Sequence, residues 1–256
     1  MHDPLEGVTE HGTIVTGVGR GRVPAAFEPV LEAVVTAIRS TDVSVYVYGS
    51  VATGMARVGD SDVDMLTVGL TPDNASSIGR DLSERFKDVC RAVEIAAARA
   101  SDFEGDTDEA YGGRVFLRHY CLHVAGPDLH APLPQYPADI RAARGFNGDI
   151  TRHLEMWRQQ LSESCHPTDL GRRVARKSLL AVAGLVSVHD ATWTTDRETA
   201  AARWAKVNPS LASDLQTLVD WSSGDRRAGE QEVAEAIDGI AMEIATSFAA
   251  TIGLWG

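Results

Sequence analysis

Tyr48-Gly49-Ser50-Val51-Ala52-Thr53-Gly54, followed by Ser61-Asp62-Val63-Asp64-Met65-Leu66, is the stretch from which the rest of the chain is read. Val43-Ser44-Val45-Tyr46-Val47-Tyr48, just before it, is rich in β-branched and aromatic residues and bounded by turn formers, the pattern of a buried strand. That strand should end at Gly49, where the absence of a side chain lets the backbone approach a ligand closely. Ser50 adds a hydroxyl and an N–H suited to a phosphate oxygen. Asp62-Val63-Asp64-Met65-Leu66-Thr67-Val68 again has strand character, and side chains of a strand repeat every second residue, so Asp62 and Asp64 are expected on one face. Two such carboxylates repel unless a cation lies between them. Hard oxygen ligands of this kind suit Mg²⁺, which keeps part of its water shell and is completed by substrate phosphates.

Cys90-Arg91-Ala92-Val93-Glu94-Ile95-Ala96-Ala97-Ala98 is an apolar run with one acid inside it. Glu94 has the small residues Ala92 and Ala96 as same-face neighbours, and a glutamate buried there would need a metal or a proton. Either condition suits a general base. The alternative is an edge strand with Glu94 facing water.

The Gly-Ser and Asp-x-Asp run resembles the signature of the DNA polymerase β-type nucleotidyltransferase superfamily, and in particular its antibiotic-modifying adenylyltransferase branch. The resemblance implies a third carboxylate on a later strand, for which Glu94 is the candidate. It also implies one or two Mg²⁺ ions held by Asp62, Asp64 and Glu94, with ATP or another NTP as co-substrate gripped by Gly49 and Ser50. The order of an αβ module and then helices is similar to the streptomycin/spectinomycin-type aminoglycoside adenylyltransferases, and Thr194–Ala205 looks similar to a helix of that branch. The preceding helix departs from it, being more basic through Arg172, Arg173, Arg176 and Lys177. Arg173 and Lys177 are one helical turn apart, so both are candidates for the nucleotide's distal phosphates, against a solvated face balanced by Glu163 or Asp169.

The expected fold class is therefore α+β: a small mixed β-sheet nucleotidyltransferase domain with flanking helices over 1–145, then an all-α helical bundle over 146–256. The first half alternates. It reads as a helix over 25–39, the two strands above, a helix over 74–87 with Ile78, Leu82 and Phe86 on one face, the Glu94 strand and a further strand over 114–124. Pro127, Pro132, Pro134 and Pro137 mark a long connection. Beyond it Ile150, Leu154, Trp157 and Leu161 recur at helical spacing, Thr168 is placed to cap a long helix, and Thr195-Asp196-Arg197-Glu198 fits a capping box. Val233, Ile237, Ile240, Ile244 and Phe248 should line the last helix. The tryptophans all fall in this half and read mostly as its core, with Trp157 and Trp193 also weighed as cleft residues.

Other motifs fail on their spacing. Gly17-Val18-Gly19-Arg20-Gly21-Arg22 lacks the third glycine of a dinucleotide loop, and Arg176 stands where a P-loop needs glycine before Lys177-Ser178. The acidic run 102–109 lacks the glycine and terminal glutamate of a calcium loop. His119 and His123 have no second ligand pair for zinc.

Composition agrees with an enzyme of the cytoplasm. The 256 residues are 44% hydrophobic, with Cys90, Cys121 and Cys165 too few and scattered for a disulfide framework. Met1-His2-Asp3-Pro4-Leu5-Glu6 has no signal-peptide blocks, and no apolar run reaches membrane-spanning length. The formal net charge of −12 disfavours nucleic acid as partner and favours a small cationic acceptor. Transfer to RNA or protein, as in toxin-like relatives, and a non-catalytic nucleotide-sensing module are the alternative functions.

Overall fold

The computed structural model describes residues 3–163 and 165–256; Met1 and His2, at the start of the N-terminal stretch read above, and Ser164 lie outside it. The chain forms two compact units. One runs from the N-terminus through Asp106 and adds Gly113–Tyr136; the other comprises Thr107–Gly112 and Pro137–Gly256.

The first unit opens with a short antiparallel pair, β1 (Gly7–Val8) and β2 (Ile14–Val15). Helix α1 (Glu28–Ile38) follows a single turn over Ala25–Phe27. Strand β3 (Ser44–Tyr48) leads directly into the five-residue α2 (Gly49–Thr53), then come β4 (Val63–Val68), α3 (Pro72–Arg85), β5 (Val93–Ala98), α4 (Asp108–Tyr120) and β6 (Leu122–Ala125). The four longer strands form a mixed sheet in the order β5-β4-β3-β6, with β4 and β5 parallel and the other pairs antiparallel.

The two faces of this sheet follow from its side-chain alternation. Val45, Val47, Val63, Met65 and Val93 point to one face and pack with Val30, Leu31 and Val34 of α1 and Leu82 of α3. Ile78 and Phe86 join this cluster, as the spacing on α3 predicts. Tyr46, Leu66 and Val68 point the other way and meet Leu117 and Cys121.

Residues 114–124 differ from expectation: most of this segment is helix, and only Leu122–Ala125 is strand. Val115, Leu117, His119 and Cys121 are all buried, so burial alternates as it would in a strand. The cause is cover on more than one side of the helix. Leu117 faces the sheet, while His119 accepts a hydrogen bond at Nε2 from the Tyr136 N–H (3.0 Å). His119 is thereby on α4 and His123 on β6.

Burial, followed by the nearby Arg118 and His130, holds the His119 imidazole down at about 4 from its ordinary 6.5. The unfolded chain takes up a proton here below pH 6.5 that the folded chain refuses until about pH 4. Stability should therefore be full above pH 6.5 and fall by about 3 kcal/mol as pH drops to 4. His130, shifted the same way by burial, adds to the slope. Urea unfolding at pH 7 and pH 4.5 measures it, and His119→Gln should flatten the difference.

The second unit is helical. Its elements are α5 (Ile140–Asn147), α6 (Ile150–Ser162), α7 (Pro167–His189), α8 (Arg197–Val207), α9 (Ala212–Ser223), α10 (Glu230–Ala236) and α11 (Met242–Thr251), the last two joined by π-helical residues Ile237–Ala241. Helix α7 is the axis. It packs against α5, α6, α8, α9, α10 and α11, which is why Leu170, Val174, Leu179, Val182, Leu185 and Val186 are all buried along it. The first turns of α4 belong to this unit, where Gly112 and Gly145 let two backbones touch: a Cβ on Gly112 would lie 2.3 Å from the Gly145 carbonyl oxygen. Arg144 clamps the junction through two bonds to the Asp108 carboxylate (2.7 and 3.2 Å).

Two caps differ from the sequence reading. Helix α7 starts at Pro167 after His166, so Thr168 lies inside it and its hydroxyl donates to the Ala228 carbonyl (3.5 Å). Proline has no N–H to leave unpaired at the first helical position and a φ preset for a helix, which favours a start at Pro167. Asp196, not Thr195, caps α8 by accepting from the Thr199 N–H (2.9 Å). Trp157, Trp193, Trp204 and Trp221 are buried. Val233, Ile237, Ile240, Ile244 and Phe248 line one continuous buried face. Among the described residues no helix is long and apolar enough to cross a membrane.

Candidate active site

The site lies on the sheet face that carries Tyr46 and Leu66. Tyr48 pairs with Asp64 across β3 and β4, and Asp64 pairs with Glu94 across β4 and β5. Paired residues of neighbouring strands project to the same side. Tyr48, Asp64 and Glu94 therefore form one row across the sheet, and Asp62 immediately precedes β4, two residues before Asp64.

Gly49 is tied to this row by two constraints. Its φ of +69° is a left-handed conformation that side chains disfavour, and a Cβ there would lie 2.7 Å from Asp64 Oδ2. The strand-to-helix turn can thus press its backbone against the aspartate only because residue 49 is glycine. Ser50 follows in the first turn of α2. The turn closes at Gly54, whose φ is +78° and whose N–H bonds back to the Val51 carbonyl (3.3 Å).

Glu94 is exposed and β5 is an edge strand, so burial is not what distinguishes this acid. Its register beside Asp64 is. The Glu94 side chain makes no hydrogen bond to any described residue, which leaves its oxygens available. The electrostatics of two neighbours register the acids as a group. The Tyr48 phenol is pushed up by burial and further by Asp64, Cys121 and Glu94. The Arg91 guanidinium is held above its ordinary value by its hydrogen bonds to Asp62, with Glu94 and Asp64 adding to the effect.

Arg91 is a participant that the sequence reading passed over. Its Nε donates to Asp62 Oδ1 at 2.9 Å, and its Nη2 closes a second bond to Oδ2. A charged residue just before an acid-bearing strand is the only signal for it in the sequence. With Asp62 so engaged, no three His, Cys or acidic side chains among the described residues stand together as a metal cage. The donor set nonetheless fits Mg²⁺: it consists of carboxylate oxygens, with room beside Asp64 Oδ2 that a side chain at residue 49 would fill. Mg²⁺ needs only one or two protein carboxylates when phosphates and water complete its shell.

Arg173 and Lys177 both lie on α7 in the second unit. Lys177 Nζ is 2.6 Å from Asp149 Oδ1 and also donates to the Phe146 carbonyl (3.3 Å). Burial, the largest single influence on Asp149, raises its carboxyl, but bonds from His153 and Lys177 outweigh it and bring it down to about 2. Arg173 donates from Nη2 to Cys165 Sγ at 2.8 Å. Neither cation is balanced by Glu163 or Asp169. Arg197, at the start of α8, is held below its ordinary value by burial and then by the like charge of Arg176, partly offset by Asp196.

The architecture is α+β: a small mixed sheet with flanking helices, followed by a helical bundle. No family model matches the chain, and no curated protein is recognisably similar in sequence. Among solved structures, it is similar in fold to the crystal structure of spectinomycin adenyltransferase AAD(9) from Enterococcus faecialis with ATP and spectinomycin. The TM-score is 0.54 and the identity 13%, over 86% of this chain and 98% of that one.

Proposed function

We propose that this protein is a nucleotidyltransferase that moves the AMP group of ATP onto a hydroxyl of a small, cationic, aminoglycoside-like acceptor and releases pyrophosphate. The observation that carries the reading is the Asp64–Glu94 register on adjacent parallel strands, with the Gly49 backbone against Asp64. The fold similarity to an adenyltransferase solved with ATP and spectinomycin supports it.

In this reading the Gly49-Ser50 turn grips the triphosphate through backbone N–H groups and the serine hydroxyl. Asp62 and Asp64, with Glu94 at the edge, would hold one or two Mg²⁺ ions. Bound there, Mg²⁺ supplies neutralisation of charge on the triphosphate and on the departing pyrophosphate. Glu94 takes the proton from the acceptor hydroxyl as that oxygen attacks the α-phosphorus and the bond to pyrophosphate breaks. The acidic surface, net −12, draws a cationic acceptor. Resistance to such an antibiotic would be the physiological result.

Incubation with Mg²⁺, each NTP and a panel of hydroxyl-bearing amines, followed by mass spectrometry, tests the proposal. An added AMP mass on one amine-bearing acceptor, with ATP as donor, is the expected result. Label from α-labelled ATP on RNA or protein alone would overturn the small-molecule acceptor, and no transfer to any acceptor would favour a nucleotide-sensing module.

A further inference from the structure

The backbone brings Arg91 alongside Asp62. Its N–H donates to the Ser61 carbonyl (3.0 Å), and the Val63 N–H donates to the Ala92 carbonyl (2.8 Å), so the start of the β4–β5 pairing sets the two residues face to face. The two-bond fork to Asp62 is the geometry in which a guanidinium holds a carboxylate best. Asp62 is largely covered, its side chain 17% exposed, while that of Arg91 is 63% exposed. Because the Arg91 side chain is in contact with water, its guanidinium can be resolvated as it leaves Asp62.

The Arg91 side chain also has somewhere to go. It lines a groove of about 540 Å³ between α3 and β5, together with Arg80, Glu84, Lys87 and Glu94. Glu84 is bound there by Lys87 (2.8 Å), and Glu94 offers a second carboxylate. Glu84 lines the α3 side of the groove and Glu94 the β5 side, so releasing Asp62 does not strand the cation.

We propose that Arg91 is a displaceable internal counter-ion that competes with the divalent cation for Asp62 and keeps the cation affinity of the nucleotide-free protein low. Without a positive group, neighbouring carboxylates on one sheet face repel one another and attract metal from solution strongly. The guanidinium answers that demand until phosphate oxygens arrive to share a cation. Arg91 is thus a positioning residue, acting through Asp62. The inference rests on the metal assignment of the proposed function.

Mn²⁺ is the probe, titrated into the full-length protein without nucleotide and followed by the loss of the free-ion EPR signal. Arg91→Gln should bind Mn²⁺ about tenfold more tightly than wild type, since a positive charge and a competitor leave together. Arg91→Lys, which keeps charge but loses the fork, should fall between them. Circular dichroism confirms that each variant is folded. Equal Mn²⁺ affinity in wild type and Arg91→Gln would overturn the counter-ion role and leave the metal assignment standing. No Mn²⁺ binding by either protein would overturn both.

Discussion

Asp64→Asn should abolish AMP transfer while leaving the fold unchanged. Asp64 is the middle of the row Tyr48–Asp64–Glu94, and its Oδ2 is the atom against which the Gly49 backbone is pressed. Asparagine keeps the shape, so the strand pairing and the turn should survive. It removes the charge that would hold a divalent cation beside the triphosphate, and with it the electrostatic stabilisation of the transition state. A loss of about a thousandfold or more in kcat is expected, corresponding to roughly 4 kcal/mol. Asp62→Ala should be as damaging. Steady-state turnover of the purified variants, with circular dichroism as a control, is the measurement; near-normal rates in either would reject the metal assignment.

Glu94→Gln should separate binding from chemistry. Its side chain is exposed at the sheet edge and bonds to no described residue, so the amide should be accommodated without structural cost. ATP affinity should stay within a few-fold of wild type, because the turn proposed to grip the phosphates is untouched. Transfer should fall by about a hundredfold to ten-thousandfold, the usual worth of a positioned general base. Full activity in Glu94→Gln would place the base elsewhere.

Much of this arrangement was legible from local pattern. Strand β3, the turn at Gly49 and the Asp-x-Asp pair announce themselves because a two-residue period and a glycine after β-branched residues are short-range signals. The buried face from Val233 to Phe248 follows in the same way from helical spacing, even though a π-helical stretch interrupts it. Register is a different matter. That Glu94 pairs with Asp64 depends on how β4 and β5 align, which only the contacts between strands determine, and so the sequence could offer Glu94 only as a candidate. Arg91 and the Arg176–Arg197 approach were missed for the same reason: each joins parts of the chain with no periodic relation. Residues 114–124 misled because a helix covered on several sides buries alternate positions as a strand does. The cap of α7 fell two residues before expectation, at His166, and that of α8 one residue after it, at Asp196.

The β5 strand has a neighbour on one side only, and its outer edge is held by α3. Gly79 lies so close that a Cβ would come within 2.8 Å of the Val93 carbonyl oxygen, and the Ser83 hydroxyl accepts from the Val93 N–H (2.8 Å) while donating to the Gly79 carbonyl (2.6 Å). The chemistry proposed for Glu94 is consequently hostage to α3, a helix outside the row of acids. A bulky replacement at Gly79 would shift Glu94 out of line with Asp64 and silence the protein from its back side, so a screen for loss of activity should recover lesions on α3 alongside those in the acids themselves.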